Sequence, residues 1–196
     1  VGANFTEAGV LHNVVYLRST KLVPNFGYAN PGAAVLSTLP TTYTPMDGLN
    51  FETDMGAPGF AGPIGLLPHW DALYCTSGDS RARDASVAHG RAYGCYGIFY
   101  RDASTKRMPK FSDYPTAYAN DESLYAGNYR WEFAHHPNAG YLPWLLTAER
   151  FFLETMQANA WACYYTNSPN GGGANRLYNS QTRGRAWRLR TIALVA

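Results

Sequence analysis

The chain has 196 residues and a mass of 21.6 kDa, enough for one domain and little more. Sixteen Lys and Arg against fourteen Asp and Glu leave a net charge of +2. That balance argues against a dedicated nucleic-acid binder with a clustered basic face and against an acidic, solvating chain. Charged residues make up only 15%, against roughly 25% in an ordinary soluble domain. Fifteen Tyr, 9 Phe and 5 Trp fill the gap, and such rings suit either an aromatic core or a wet contact surface. No apolar run reaches the ~18 residues of a membrane span. The chain begins at Val1 with no signal peptide ahead of it, which reads as a mature or trimmed product. Three cysteines (Cys75, Cys95, Cys163) without a C-x-x-C argue against a zinc knuckle and a dense disulfide framework. The sequon Asn4-Phe5-Thr6 carries little weight by itself.

Residues 1–63 form a loop and short-strand region in this reading. Val10–Arg18, rich in Val, Leu and Tyr, predicts a strand. The Pro and Gly density after it predicts either a loop wrapped over something or a set of short strands. Residues 64–196 read as a helical-hairpin domain. Leu66–Ser77 has near-helical apolar spacing, Gly78 is a natural stop, and Asp79 or Ser80 can cap a second helix over Ser80–Tyr96. Ile98-Phe99-Tyr100 suggests a strand, Arg101–Lys110 a solvated hairpin or loop, and Phe111–Tyr129 a surface loop. A helix is expected over residues 136–147, with Pro137 in its first turn and a kink at Pro143. Arg150–Tyr165 carries an apolar stripe at Leu153, Met156, Ala160, Cys163 and Tyr164. Asn170–Gly173 reads as a flexible loop, and a last helix runs from Thr182 to the end.

Two helix–turn–helix pieces repeat. Tyr74–Asp79 lies on Trp144–Glu149 at an offset of 70, and Gly65-Leu66-Leu67-Pro68 resembles Gly140-Tyr141-Leu142-Pro143 at an offset of 75. Hairpins of this kind bury their faces by stacking into a ring. The segments IGLLPHWDALYCTSGD (64–79), HHPNAGYLPWLLTAE (135–149) and QTRGRAWRLRTIALVA (181–196) resemble stretches of large bacterial proteins predicted to form α/α-toroids. They cover a minority of the chain. The resemblance implies a mainly α fold, an incomplete α/α-toroid, in an architecture usually occupied by polysaccharide lyases and glycoside hydrolases. Six hairpins would need roughly 400 residues, so the chain reads as part of a larger unit or as one subunit of an assembly. The last helix spreads Leu189, Ala193, Trp187 and Leu194 around its axis and so asks for several neighbours, supplied by self-association or by further chain.

The densest chemistry lies between Asn128 and Tyr141. A His136 near a helix N-terminus would stay neutral and basic, with Tyr141 a little over a turn away. Such a pair can remove the proton α to a uronate carboxylate and protonate the leaving oxygen. Arg130 or Asn128 would neutralise the carboxylate, and His135 would bind beside them. This is a β-eliminating lyase acting on an acidic polysaccharide. Against it stands the plainer expectation that both histidines cap and hydrogen-bond locally. A hydrolase would instead pair Glu132 with Asp71 or Asp54. Glu132 and His135 also have the E-x-x-H spacing of di-iron bundles, but no second motif is present. No cofactor is implied, and a single divalent cation stays open. His69 and Trp70 are the matching feature of the first hairpin. Trp70 and Trp131 could stack on sugars or fill the core. Arg183 could reach an anionic glycan or be solvated. No phosphate loop and no nucleophile elbow occur. The second functional class is a non-catalytic glycan-binding or structural module of a secreted or cell-surface assembly, for which low charge and high Tyr speak.

Overall fold

A computed structural model describes residues 13–53, 62–119, 125–126, 129–166, 177 and 181–196. The fold is mainly helical. In chain order come α1 (Val14–Ser19), α2 (Gly32–Ser37), α3 (His69–Ser77), α4 (Ser80–Ala92), β1 (Tyr125–Ala126), β2 (Tyr129–Arg130), α5 (Tyr141–Thr147), α6 (Arg150–Tyr165) and α7 (Thr182–Ala193). β1 and β2 form a minimal antiparallel pair, Tyr125 opposite Arg130 and Ala126 opposite Tyr129.

The repeated pieces fold as two hairpins, α3/α4 and α5/α6, with the same turn chemistry. Each first helix ends in a left-handed residue, Gly78 at φ 71° and Ala148 at φ 54°. Their backbone N–H groups donate to Tyr74 O at 2.8 Å and Trp144 O at 2.9 Å. One residue earlier, Ser77 Oγ donates to Leu73 O (2.6 Å) and Thr147 Oγ1 to Pro143 O (2.8 Å). The same hydroxyl oxygens accept from the N–H of Asp79 and of Glu149, both at 3.1 Å. Asp79 then caps α4 by accepting from Arg81 N at 2.9 Å, whereas Glu149 begins α6 without a side-chain cap.

Several expected elements change. Residues 14–19 are a helix, not a strand, because Asn13 Oδ1 accepts from the N–H of Val15 (3.0 Å) and Tyr16 (3.1 Å). That local cap outweighs the β preference of Val14 and Val15. Residues 98–100 form no strand, since Ile98 N bonds back to Tyr96 O at 2.9 Å and joins no ladder. α4 ends at Ala92 and tightens into a single 3-10 turn, Tyr93–Cys95. The helix expected over 136–147 starts only at Tyr141, with Gly140 at its cap position. His136 precedes a proline, which disfavours helical backbone there. Pro143 therefore sits in the first turn, where its missing N–H has no intrahelical acceptor to lose, and no kink is required.

The N-terminal segment wraps the hairpins, and its described residues hold no strand. α1 lies on α3. Val23 and Leu36 enter one core with Tyr74, Leu142 and Met156. Phe51 enters a second, aromatic core with Trp70, Tyr93, Tyr96, Trp131 and Trp161. Side chains on the hairpins fasten this wrap: Tyr141 Oη donates to Leu22 O (2.6 Å) and Tyr96 Oη to Glu52 O (2.7 Å). α7 packs on α6. Its buried face is Gly184, Arg188, Arg190 and Thr191, while Leu189 stays exposed. Beside that polar face Ile192 packs against the aromatic core and Leu194 and Val195 against the other, all three half-buried, while Ala193 is exposed like Leu189.

Candidate functional site

His136 is fully buried and uses both ring nitrogens. Nδ1 lies 2.7 Å from Phe133 O, which can only accept, so the proton belongs on Nδ1. Nε2 then accepts from Thr191 Oγ1 at 2.8 Å, and Thr191 Oγ1 accepts from Arg190 Nη2 at 3.2 Å. Cys163 Sγ stands 3.5 Å from the same Nε2. Burial, then the charges of Arg190 and Arg188, hold this imidazole well below its usual range, so it is neutral. Burial likewise pushes the Cys163 thiol up to about 12, which makes a thiolate nucleophile unfavourable. Trp131, also fully buried, stacks on His136 with ring centroids 4.9 Å apart. Its Nε1 donates to Asn159 Oδ1 at 2.9 Å, and Tyr93 Oη donates to the same oxygen at 3.1 Å. Asn159 Nδ2 donates to Pro137 O at 3.0 Å. One amide on α6 thereby fastens the whole 131–137 loop.

The other expected site residues scatter. Glu132 and His135 are buried and bonded to each other, His135 Nδ1 lying 2.5 Å from Glu132 Oε2, while the same oxygen accepts from Ala134 N at 2.9 Å. Tyr141 is close in sequence to His136, but its hydroxyl is turned to Leu22 O. Arg130 is half-buried, its backbone N–H bonded to Thr53 O at 2.8 Å. Trp70 is buried and stacks on His89 at 3.5 Å between centroids, so neither tryptophan expected at a sugar face is exposed. His69 is exposed at the start of α3, and Arg183 is half-buried on α7. Asp71 is fully buried. Asn128 and Asp54 lie outside the described residues, as does the glycine loop 170–173. Lyase chemistry needs a lone pair and an acid facing one substrate. Here the His136 lone pair faces Thr191 and the Tyr141 proton faces backbone. Among the described residues no group of three or more His, Cys, Asp or Glu gathers around a potential metal position.

Open concave surface with aromatic lining lies elsewhere. A groove of about 360 Å³ is walled by Tyr100, Tyr114, Tyr118 and Trp161, with Arg101 and Asp102 at its edge. Its floor is fixed: Trp161 stacks on Tyr165 (4.3 Å) and Tyr100 (5.0 Å), and Trp161 Nε1 donates to Pro109 O at 3.1 Å. Its rim is exposed, Tyr114 by 42% and Tyr118 by 52%. Asp102 organises the adjoining turn. Its Oδ1 accepts from Ser104 N (2.9 Å), Ser104 Oγ (2.6 Å) and Thr105 N (2.6 Å), and its Oδ2 accepts from Tyr114 Oη. The Ser104 and Tyr114 hydroxyls foremost hold this carboxyl far below the usual range, so it is a permanent anion at neutral pH. Arg101, Asp102, Tyr114 and Tyr118 sit in stretches read as loop, Tyr100 in one read as strand and Trp161 on a helix, so no local pattern joins them; the Tyr content of 100–118 was the available signal. Two further buried helical residues were not singled out: Asn159, a polar interruption among the apolar residues of α6, and Thr191, which shares a polar face of α7 with Arg188 and Arg190.

No known protein family, no curated protein and no solved structure matches this chain. Among the described residues no helix is long and apolar enough to cross a membrane.

Proposed function

We propose that this chain is a non-catalytic glycan-binding module and that the Tyr100/Tyr114/Tyr118/Trp161 groove holds the sugar. The observation that carries the reading is a preformed aromatic groove with an exposed rim beside a fixed carboxylate and an arginine. A pyranose presents an apolar C–H face and a rim of hydroxyls, which fits rings flanked by one anion and one cation. The low charge and high Tyr content of the chain agree with a wet contact surface of a secreted or cell-surface assembly. The shared turn geometry supports taking α3/α4 and α5/α6 as consecutive hairpins of an α/α-toroid whose ring is completed by other chain. The lyase alternative is not carried forward, because its base and acid are engaged inside the protein.

Calorimetric titration with a panel of neutral and uronic-acid oligosaccharides tests this. At least one is expected to bind, and Tyr118→Ala is expected to weaken it by about tenfold, a loss of about 1.4 kcal/mol. Absence of any glycan binding, unchanged affinity in the variant, or binding of a proline-rich peptide in the groove instead would overturn it. Appearance of unsaturated product from a uronic-acid polymer would restore the enzyme reading.

A further inference from the structure

A second hollow of about 360 Å³ lies where the segment after α1, the approach to α3, the start of α5 and the end of α7 meet. Among the described residues its charged lining is Arg190 and Lys21, with no acid. Arg190 is only 9% exposed. Its guanidinium donates to Gly65 O, to His136 O at 2.8 Å and to Thr191 Oγ1 at 3.2 Å, and it lies 4.7 Å from the Trp187 ring centroid. No carboxylate pairs with it among the described residues, and its Nε–H is buried without an acceptor. A buried charge ordinarily has a counter-charge, because neutral acceptors only partly offset the cost of removing it from water. Lys21 is exposed at the mouth and has no ion pair among the described residues.

The rest of the wall is apolar. Leu22 and Leu66 stand 51% and 54% exposed at the rim, leaving hydrocarbon against water, and Val23 and Leu67 close the depth. Tyr141 adds a ring but no free hydroxyl, since that group is bonded to Leu22 O. Two cations with no carboxylate partner among the described residues, set over aliphatic walls, are complementary to an anion carrying a hydrocarbon tail. The volume is near the small end of the roughly 300–1,000 Å³ of ligand pockets, which suits a medium rather than a long chain. We propose that this hollow binds a medium-chain alkyl anion, its carboxylate or phosphate on Arg190 and Lys21 and its tail against the leucines.

Calorimetric titration of the full 196-residue chain tests the proposal with sodium octanoate, octyl phosphate, octanol and octylammonium. At least one of the two anions is expected to bind about tenfold or more tightly than octanol, and octylammonium more weakly than octanol. Which anion binds better identifies the headgroup. Arg190 also holds backbone carbonyls, so its removal risks the fold, and exposed rim positions carry the mutational arm. Lys21→Gln is expected to weaken the anion severalfold, and Leu66→Asp, which brings a carboxylate to the mouth, by about tenfold. Octanol matching both anions, no binding of either anion, or wild-type affinity in both variants would overturn it.

Discussion

Asp71 gives the fold a pH dependence that can be worked out beforehand. It is fully buried on α3, and burial pushes its carboxyl from 3.8 up to about 8, against a smaller lowering by the nearby Ser86 hydroxyl. Ser86 Oγ gives its one proton to Ala82 O at 3.0 Å, and both Asp71 carboxyl oxygens are buried without a hydrogen-bond partner among the described residues, so little offsets the cost of ionising it. Between 3.8 and about 8 the native chain holds a proton that the unfolded chain has released. Stability therefore falls as pH rises, by about 1.4 kcal/mol per pH unit. Two buried histidines act in the opposite sense, but only below their ordinary value of 6.5. Burial holds His89 down to about 4 and His136 well below 6.5, so their stabilisation is lost as pH falls from 6.5 and is constant above it. Of these three groups only Asp71 changes between pH 6.5 and about 8, where stability is expected to fall by about 2 kcal/mol. Asp71→Asn cannot ionise and is expected to remove that slope. Its amide brings N–H donors into a buried position where Asp71 itself has no hydrogen-bond partner among the described residues, at a cost of about 1–3 kcal/mol. The variant should be the weaker protein at pH 6.5, with the gap closing towards pH 8. Urea unfolding at half-unit steps across the window reads both curves. A wild-type stability that is level or rising there, or an equal slope in the two proteins, would refute the reasoning.

Asn159→Leu strips partners from Tyr93, Trp131 and Pro137 at once and is expected to cost about 3 kcal/mol or more in urea unfolding; a loss under about 1 kcal/mol would show that the amide does not fasten the loop. In Gly90→Ala the new Cβ would stand 2.7 Å from Phe152 Cε1 and 2.9 Å from Pro143 Cγ, so overpacking is expected to cost about 1–3 kcal/mol. Gly94→Ala meets nothing within 4 Å and should be neutral or stabilising by up to about 1 kcal/mol, which thermal melting of the pair distinguishes. Ala148→Gly relieves a left-handed residue at φ 54° and is expected to raise stability by up to about 1 kcal/mol, whereas a lowered melting temperature would contradict strain at that turn.

The two hairpins were legible because their signals are local. Gly78 stops a helix through its own backbone, Asp79 caps through its own side chain, and Arg150–Tyr165 carries apolar residues at helical spacing, although Phe152, Met156 and Cys163 are buried while Leu153, Ala160 and Tyr164 of the expected stripe are half-buried. The same kind of signal existed at Asn13, but Val-Val-Tyr after it reads as strand when caps are weighed less than β-branching. The candidate site was misjudged for another reason. Histidine, tyrosine and glutamate near a proline look like exposed chemistry when only neighbours in sequence are considered. His136 instead meets Thr191 across 55 positions, and Tyr141 meets Leu22 across 119. The groove lined by Tyr100, Tyr114 and Trp161 joins loop to helix and has no periodic trace.

By itself, the sequence determined that this chain is charge-poor, rich in tyrosine and built around two turn-matched helical pairs, because helix periods, caps and left-handed stops act within one or two turns of backbone. The tertiary structure alone decided which polar groups are interior. Arg188 rests on Phe133 with 4.4 Å to the ring centroid, Arg190 answers backbone carbonyls, and His136 is sealed beneath α7. Burying a polar group depends on partners that satisfy it, and chain folding brings those partners from positions that no local pattern connects.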